Sequence, residues 1–240
     1  MSKRLKLFLG ISYIIILFFF LYYIFSYVEL NRLEDFSYYK ELQINLEKTI
    51  GTNLYTNLFI FFLFCLVWVS LLGFGSPLLI VSGVLFGKWL GTCISVLSIS
   101  IGALILYSIA EFFFKETVNS LLEKKFSKYI HFFKKNEFNY FLAFRLTGGL
   151  GIPFGLQNVL PVVFKIKKMN YFLASFFGFI PGFFIFNTIG AGLNSYVKEA
   201  EKFSMLDFLL SPNIYSPILM FTCLMIISLI IKKKFFDDKD

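Results

Sequence analysis

The sequence predicts an all-α polytopic membrane protein: about four full transmembrane helices plus two opposed re-entrant hairpins arranged as an inverted repeat. Three observations carry this. The 240 residues are 58% hydrophobic and only 16% charged, with a mean hydropathy of +0.74, whereas ordinary soluble domains carry about 25% charged residues. Apolar runs approaching the ~20 residues that span a bilayer recur along the chain. The polar segments between them differ in charge, which assigns each to one side of the membrane. The net charge of +8 sits in those short flanks, so it sets topology and does not mark a nucleic-acid partner.

Lys3, Arg4 and Lys6 precede an apolar run over residues 7–27. At ~1.5 Å per residue the run can cross the hydrocarbon. It is too long for a signal-peptide core and no A-x-A-like cleavage site follows, so a retained first helix with a cytoplasmic N-terminus is expected. Residues 28–53 are mildly acidic: Glu29, Glu34, Asp35, Glu41 and Glu47 outnumber Arg32, Lys40 and Lys48. That suits the outer face, and Leu30, Leu33, Phe36, Leu42, Leu46 and Ile50 predict a short helix lying on the surface. A second run, 54–74, breaks at Gly73–Pro77, and the piece that follows, 78–86, is too short to span. A third run covers 89–114. In residues 115–137, Lys115, Lys124, Lys125, Lys128, Lys134 and Lys135 outnumber Glu116, Glu123 and Glu137. This most positive loop is expected in the cytoplasm, with its periodic apolar residues along the interface. A glycine-rich stretch (138–164), the basic Lys165, Lys167 and Lys168, an apolar run (169–189), a near-neutral segment (191–214) and a last apolar run (217–231) closed by Lys232–Lys234 complete the chain. The predicted units are an N-terminal helix with its external segment (1–53), a core (54–192) and a C-terminal loop, helix and tail (193–240).

Charge also constrains the crossings. An odd number must separate the external first loop from the cytoplasmic 115–137 loop, yet two long runs lie between them. The conflict vanishes if 54–87 is a hairpin that enters from outside and turns at Gly73–Pro77. Symmetrically, 138–164 enters from the cytoplasm and turns near Gly148–Pro153. Both termini are then cytoplasmic. Broken helices from opposite faces place a substrate site near the midplane. The second hairpin carries a lone charge, Arg145, beside broken backbone, which at membrane depth is a functional-site expectation by default.

Much chemistry is excluded. Cys65, Cys93 and Cys223 lie in apolar runs with no CxxC spacing and no neighbouring histidine, so packing roles are expected. A single histidine, His131, speaks against a Ser-His-Asp triad or a histidine metal site. Neither G-x-x-x-x-G-K-[ST] nor H-E-x-x-H occurs. No cofactor, metal, nucleotide or nucleic acid is expected, and no enzymatic activity. Homo-oligomerisation stays open. Phe, Ile and Lys are abundant in the pattern of an AT-rich genome, so the 35 phenylalanines are not read as a binding signature.

Pro77, Gly83, Phe86 and Gly87, followed by Gly91 and Gly102, form one cluster; Phe141, Arg145 and Leu146, then Pro153, Phe154, Asn158, Gly178, Pro181 and Gly190, form another. Together, over residues 55–192, they resemble the two signatures of the DedA/VTT superfamily, the SNARE-associated Golgi protein-like membrane proteins, and fit its VTT branch better than the DedA branch. The resemblance implies two opposed re-entrant loops and lipid handling: scrambling of phospholipids, or translocation of undecaprenyl phosphate or related lipids, in a bacterial inner membrane for this chain. It makes Arg145 the residue expected to be essential. Three departures stand out. Gly73–Gly87 holds no Asp or Glu where many DedA-type members carry an acid. Glu111 stands where related sequences often have arginine. Val159–Phe164 replaces the usual L-G-L-T.

The candidate residues each carry a sharp and a bland reading. Arg145 offers a planar fork for phosphate oxygens, against a structural role capping the hairpin; an arginine at the centre of an apolar helix costs ~2.5–3.5 kcal/mol to insert. Gly148, Gly149 and Gly151 could turn backbone N–H groups toward an anion or simply make a tight turn. Pro153 and Asn158 fix the re-entrant backbone, and Asn158 could also contact a headgroup. Glu111 could relay a proton, partner Arg145, or pair with Lys115 at i+4. Pro77, Gly83 and Gly87 shape the first hairpin, with the glycines also suited to close helix packing. Gly178 and Pro181 suggest a kink or hinge in their helix. The leading expectation is a lipid translocase or scramblase; the alternatives are a proton-coupled transporter of a small solute or ion, and a membrane scaffold.

Overall fold

The computed structural model describes residues 36–71, 74–200 and 204–232, with isolated helical positions between 11 and 26. The expected first span, 7–27, therefore falls outside the described residues except at those positions. All secondary structure among the described residues is helical: α1 (Phe36–Thr52), α2 (Leu54–Ser70), α3 (Gly75–Lys135), α4 (Glu137–Leu146), α5 (Phe154–Val159), α6 (Lys168–Glu199), α7 (Met205–Leu210) and α8 (Pro212–Lys232), with 3-10 turns at Gly148–Gly151 and Leu160–Phe164. The helix expected on the surface is α1. An ion pair of Glu47 with Lys198, 3.1 Å, ties it to the end of α6.

By length and composition, two described stretches can cross a membrane, Gly75–Phe113 and Lys168–Glu199; there are three if α1 and α2, bent by 110°, count as one. The last apolar run of the sequence lies in α8. The helix expected to lie apart along the interface at 115–137 is instead the backbone continuation of α3, which runs unbroken from residue 88 to Lys135. Residues 103–135 contain no Gly or Pro, so nothing in the chain interrupts it.

Within the first of those stretches the chain reverses. Gly87 has φ 73° and ψ 178°, a backbone that a Cβ would strain. Ser82 Oγ donates to the Gly91 carbonyl at 3.0 Å, although nine residues of straight helix would separate these residues by ~13 Å. Residues 75–86 therefore fold back on residues 88–113, which alone extend ~39 Å. The arm 75–86 also doubles back on α2, since the Phe61 and Phe86 rings lie 5.3 Å apart. Across this first reversal Trp68 Nε1 donates to the Phe74 carbonyl at 2.9 Å. Pro77 sits in the first turn of α3, where its missing N–H costs nothing.

The long helices run antiparallel, as shown by Trp89 against Phe184, stacked Tyr107 and Tyr171, and Glu111 with Lys168. A second hairpin consists of α4, the glycine turn and the α5/3-10 return. Here α4 runs parallel to α6, with Glu137 accepting from Lys167 N–H at 3.4 Å and Phe141 stacked on Tyr171 at 4.9 Å. In the first hairpin α2 runs parallel to residues 88–113: Cys65, Val69, Ile99 and Ala103 are buried in one apolar core, and Gly102 faces Leu66 and Val69. Because the long helices are antiparallel, the two hairpins approach from opposite ends. Their turns meet where Gly75 faces the Phe154 ring, with a would-be Cβ 3.6 Å away.

Candidate functional site

Arg145 lies in the last turn of α4 and is only 3% exposed. It sits eight residues into α4, beside the second and third turns of α6, so it lies ~12–15 Å from the end marked by Glu137 and Lys168. Four side chains take its donors. Nε donates to Ser175 Oγ at 3.1 Å, Nη1 to Gln157 Oε1 at 3.5 Å, and Nη2 to Asn158 Oδ1 and Tyr171 OH, both at 2.8 Å. Tyr171 OH in turn donates to Asn158. The guanidinium carbon lies 4.7 Å from the ring centres of Phe141 and Phe179 and 5.4 Å from that of Tyr171. Every one of these partners is neutral.

The cage holds the charge without cancelling it. Hydrogen bonds to a charged group contribute about 1.5–3 kcal/mol each, so two of the four suffice to offset the insertion penalty. Aromatic faces add attraction, and the carbonyl end of α4 supplies a partial negative charge. No carboxylate is among the contacts, so the positive charge remains available to an anion. Asn158, fully buried, keeps its Nδ2 donor without a hydrogen-bond partner among the described residues.

The neighbouring turn is built by glycine. Gly148, Gly149 and Gly151 have φ of 66°, 73° and 80°. At Gly149 the constraint is double, because a Cβ would also overlap the Gln157 side chain. Gln157 Nε2 donates to the carbonyls of Gly148 at 3.1 Å and Ile152 at 2.6 Å. Pro153, in extended backbone, leads into α5.

The predicted site residues divide among four places. Arg145, Asn158 and Gly178 come together, Gly178 because a Cβ there would overlap Arg145 Cβ. Gly148, Gly149, Gly151 and Pro153 carry the turn and do not touch the guanidinium. Gly83 packs against the second half of α6, where a Cβ would overlap the Asn187 carbonyl, and Gly87 makes the bend that follows. Glu111 is elsewhere again, its Oε2 3.8 Å from Lys168 Nζ. Helix α6 is continuous through Pro181. A model of the VTT domain matches residues 73–192, half the chain. The chain belongs to the VTT-domain family. This is the domain of the DedA/SNARE-associated Golgi protein family, so the resemblance seen in the motifs holds. With its apolar helices, the chain is an integral membrane protein of a family associated with membrane transport. No solved structure matches it.

The VTT match encloses the whole Arg145 cage. Three hydrogen-bonding cage members, Gln157, Tyr171 and Ser175, and the Phe179 ring are not evident from motif reading. A signal for two of them exists: Tyr171, Ser175 and Gly178 recur at i, i+4 and i+7 in an apolar run, which marks one helix face, and polar residues on such a face point inward. Asn187 is also missed; fully buried, it has an Oδ1 without a partner among the described residues.

Proposed function

We propose that this VTT-domain protein moves the anionic headgroup of a phospholipid or polyprenyl phosphate across the bilayer. The observation that carries the proposal is a buried cation, Arg145, held only by neutral groups beside the turns of two opposed hairpins. On this reading the hairpins are re-entrant, each is followed by a spanning helix, and the pair forms an inverted repeat. With the spans at 7–27 and 217–231 this makes four crossings and two cytoplasmic termini in a bacterial inner membrane. The headgroup travels where the hairpins meet, while the tails stay in lipid. Polar atoms inside the apolar body support such a path: Ser95 Oγ, Ser100 Oγ, Asn158 Nδ2 and Asn187 Oδ1 are buried without hydrogen-bond partners among the described residues.

Reconstituted vesicles test this directly. Protein-containing vesicles should translocate at least one fluorescent lipid with a phosphate headgroup faster than empty vesicles, across a panel that includes a polyprenyl phosphate. Rates equal to those of empty vesicles for the whole panel sink the proposal. Topology is checked by labelling single cysteines at positions 40, 128 and 205; the first and third should react from outside and the second from inside.

Glu111→Gln separates this reading from proton-coupled solute transport. Glu111 and Lys168 are well exposed, at 33% and 60%, and a pair so exposed contributes at most about 1 kcal/mol. The expected result is an unchanged flip rate and little change in thermal stability. Loss of a pH-dependent uptake in this variant would favour the solute transporter instead.

A further inference from the structure

We infer that Gln157 is the latch of the Arg145 site: it locks the glycine turn against the guanidinium, and its release hands one Arg145 N–H to the incoming phosphate. This rests on the reading of Arg145 as the phosphate-binding group.

The Gln157 side chain engages both the cage and the turn. Its Oε1 faces Arg145 Nη1, while its Nε2 donates to Gly148 and Ile152, one on each side of the reversal. Its side chain packs so closely on Gly149 that no Cβ fits there. The bonds are unequal. Two 2.8 Å bonds fix Nη2, and Nε is held at 3.1 Å, but Nη1 meets Gln157 at 3.5 Å, the limit of a hydrogen bond. Nη1 is also the only guanidinium nitrogen with a single partner for two protons. On the guanidinium itself, displacing Gln157 therefore gives up the longest of the four hydrogen bonds, and the two bonds from Gln157 to the turn break with it. Asn158 Nδ2, unpartnered and adjacent in the chain, supplies a second donor from the same cage.

Once Gln157 swings away, Gly148 and Ile152 lose their shared donor, and the turn is free to move. Binding at Nη1 and opening of the turn are thus one event. Ser175, Tyr171 and Asn158 remain on Arg145 throughout, so the guanidinium stays in place while its latch moves.

Two readouts test this. The first does not involve lipid movement: a cysteine at Ile152, in a protein whose Cys65, Cys93 and Cys223 are replaced, is labelled by a water-soluble maleimide. Gln157→Met keeps the bulk but loses all three hydrogen bonds, and should raise the labelling rate at least tenfold; Gln157→Ala should do the same. Labelling unchanged in both variants overturns the latch. The second readout is coupling. Gly149→Ala alone should both force Gln157 aside and strain the turn at φ 73°, so adding it to Gln157→Ala should raise labelling by clearly less than the two single effects combined. Full additivity overturns the latch, because a purely local strain at Gly149 would act independently. In the flip assay, Gln157→Glu places a carboxylate on Arg145 and should lower the rate at least tenfold. If the wild type moves no lipid yet labelling responds as expected, the proposed function fails, the hand-over to phosphate fails with it, and only the lock of Gln157 on the turn stands. If lipid moves but labelling is indifferent to Gln157, the reverse holds.

Discussion

Arg145→Ala is expected to lower the flip rate of a phosphate-headgroup lipid at least tenfold while leaving the protein folded. The two effects differ in size for a physical reason. Removing the guanidinium leaves Ser175, Gln157 and Asn158 each short of a donor, and unsatisfied buried groups cost about 1–3 kcal/mol apiece. The same substitution removes a buried cation and its desolvation penalty, and Tyr171 can still donate to Asn158. These terms oppose one another, so thermal unfolding in detergent should show a loss of about 1–3 kcal/mol. Transport has no such compensation, since the only charge in the cage is gone. Arg145→Lys sharpens the test. An ammonium keeps the charge but cannot span Ser175, Gln157, Asn158 and Tyr171 with one planar fork, so the flip rate should fall nearly as far. A wild-type flip rate in Arg145→Ala would remove Arg145 from the mechanism.

Gly83→Ala and Gly190→Ala are expected to be the most destabilising small changes in the core. A Cβ on Gly83 would overlap the Asn187 carbonyl, and one on Gly190 would overlap the carbonyl of Ile80. Both obstacles are backbone, so no rotamer change relieves them, and the arm 75–86 must lift away from α6. Overpacking that side chains absorb costs about 1–3 kcal/mol, and these two should exceed it. Gly182→Ala is the control within α6. Nothing lies within 4 Å of its would-be Cβ, and alanine is the better helix former by about 1 kcal/mol, so stability should hold or rise. Thermal melting of the three variants decides the matter: if Gly83→Ala and Gly182→Ala melt together, the close crossing of α3 and α6 is not as described.

The sequence carried the helical class, the membrane setting and the family, because apolar runs and flanking charge are properties of segments. It also carried the first reversal, since Gly73–Pro77 is a break that local chemistry announces. The second reversal at Gly87 was legible only as a glycine in a motif. Its role depends on Ser82 meeting Gly91, a contact made in space. The site divided in the same way. Arg145 stood out as a lone charge in an apolar run, and Asn158 came with the motif. Gln157 sits beside Asn158 in the chain yet acts through the turn behind it, which neither periodicity nor motif spacing encodes. Glu111 was read against Lys115 or Arg145, the neighbours suggested by helix spacing and by charge. Its actual partner, Lys168, is brought near by antiparallel helices.

The two hairpins return to their long helices through bends that share a positive φ but are made from different residues. One is Gly87; the other is Lys165, with φ 52° and ψ 47°. A left-handed backbone is free for glycine but costs other residues roughly 1–2 kcal/mol. The Lys165 bend therefore holds strain that the Gly87 bend lacks, and glycine would remove it. What glycine would also remove is a positive charge at the threshold of α6, next to Lys167 and Lys168. On the scale of surface potentials, each such charge near an anionic leaflet is worth about 1 kcal/mol, comparable to the strain. On the proposed topology, the Lys165 bend thus trades backbone comfort for attraction to an anionic lipid surface, an attraction that the glycine at the other bend cannot supply.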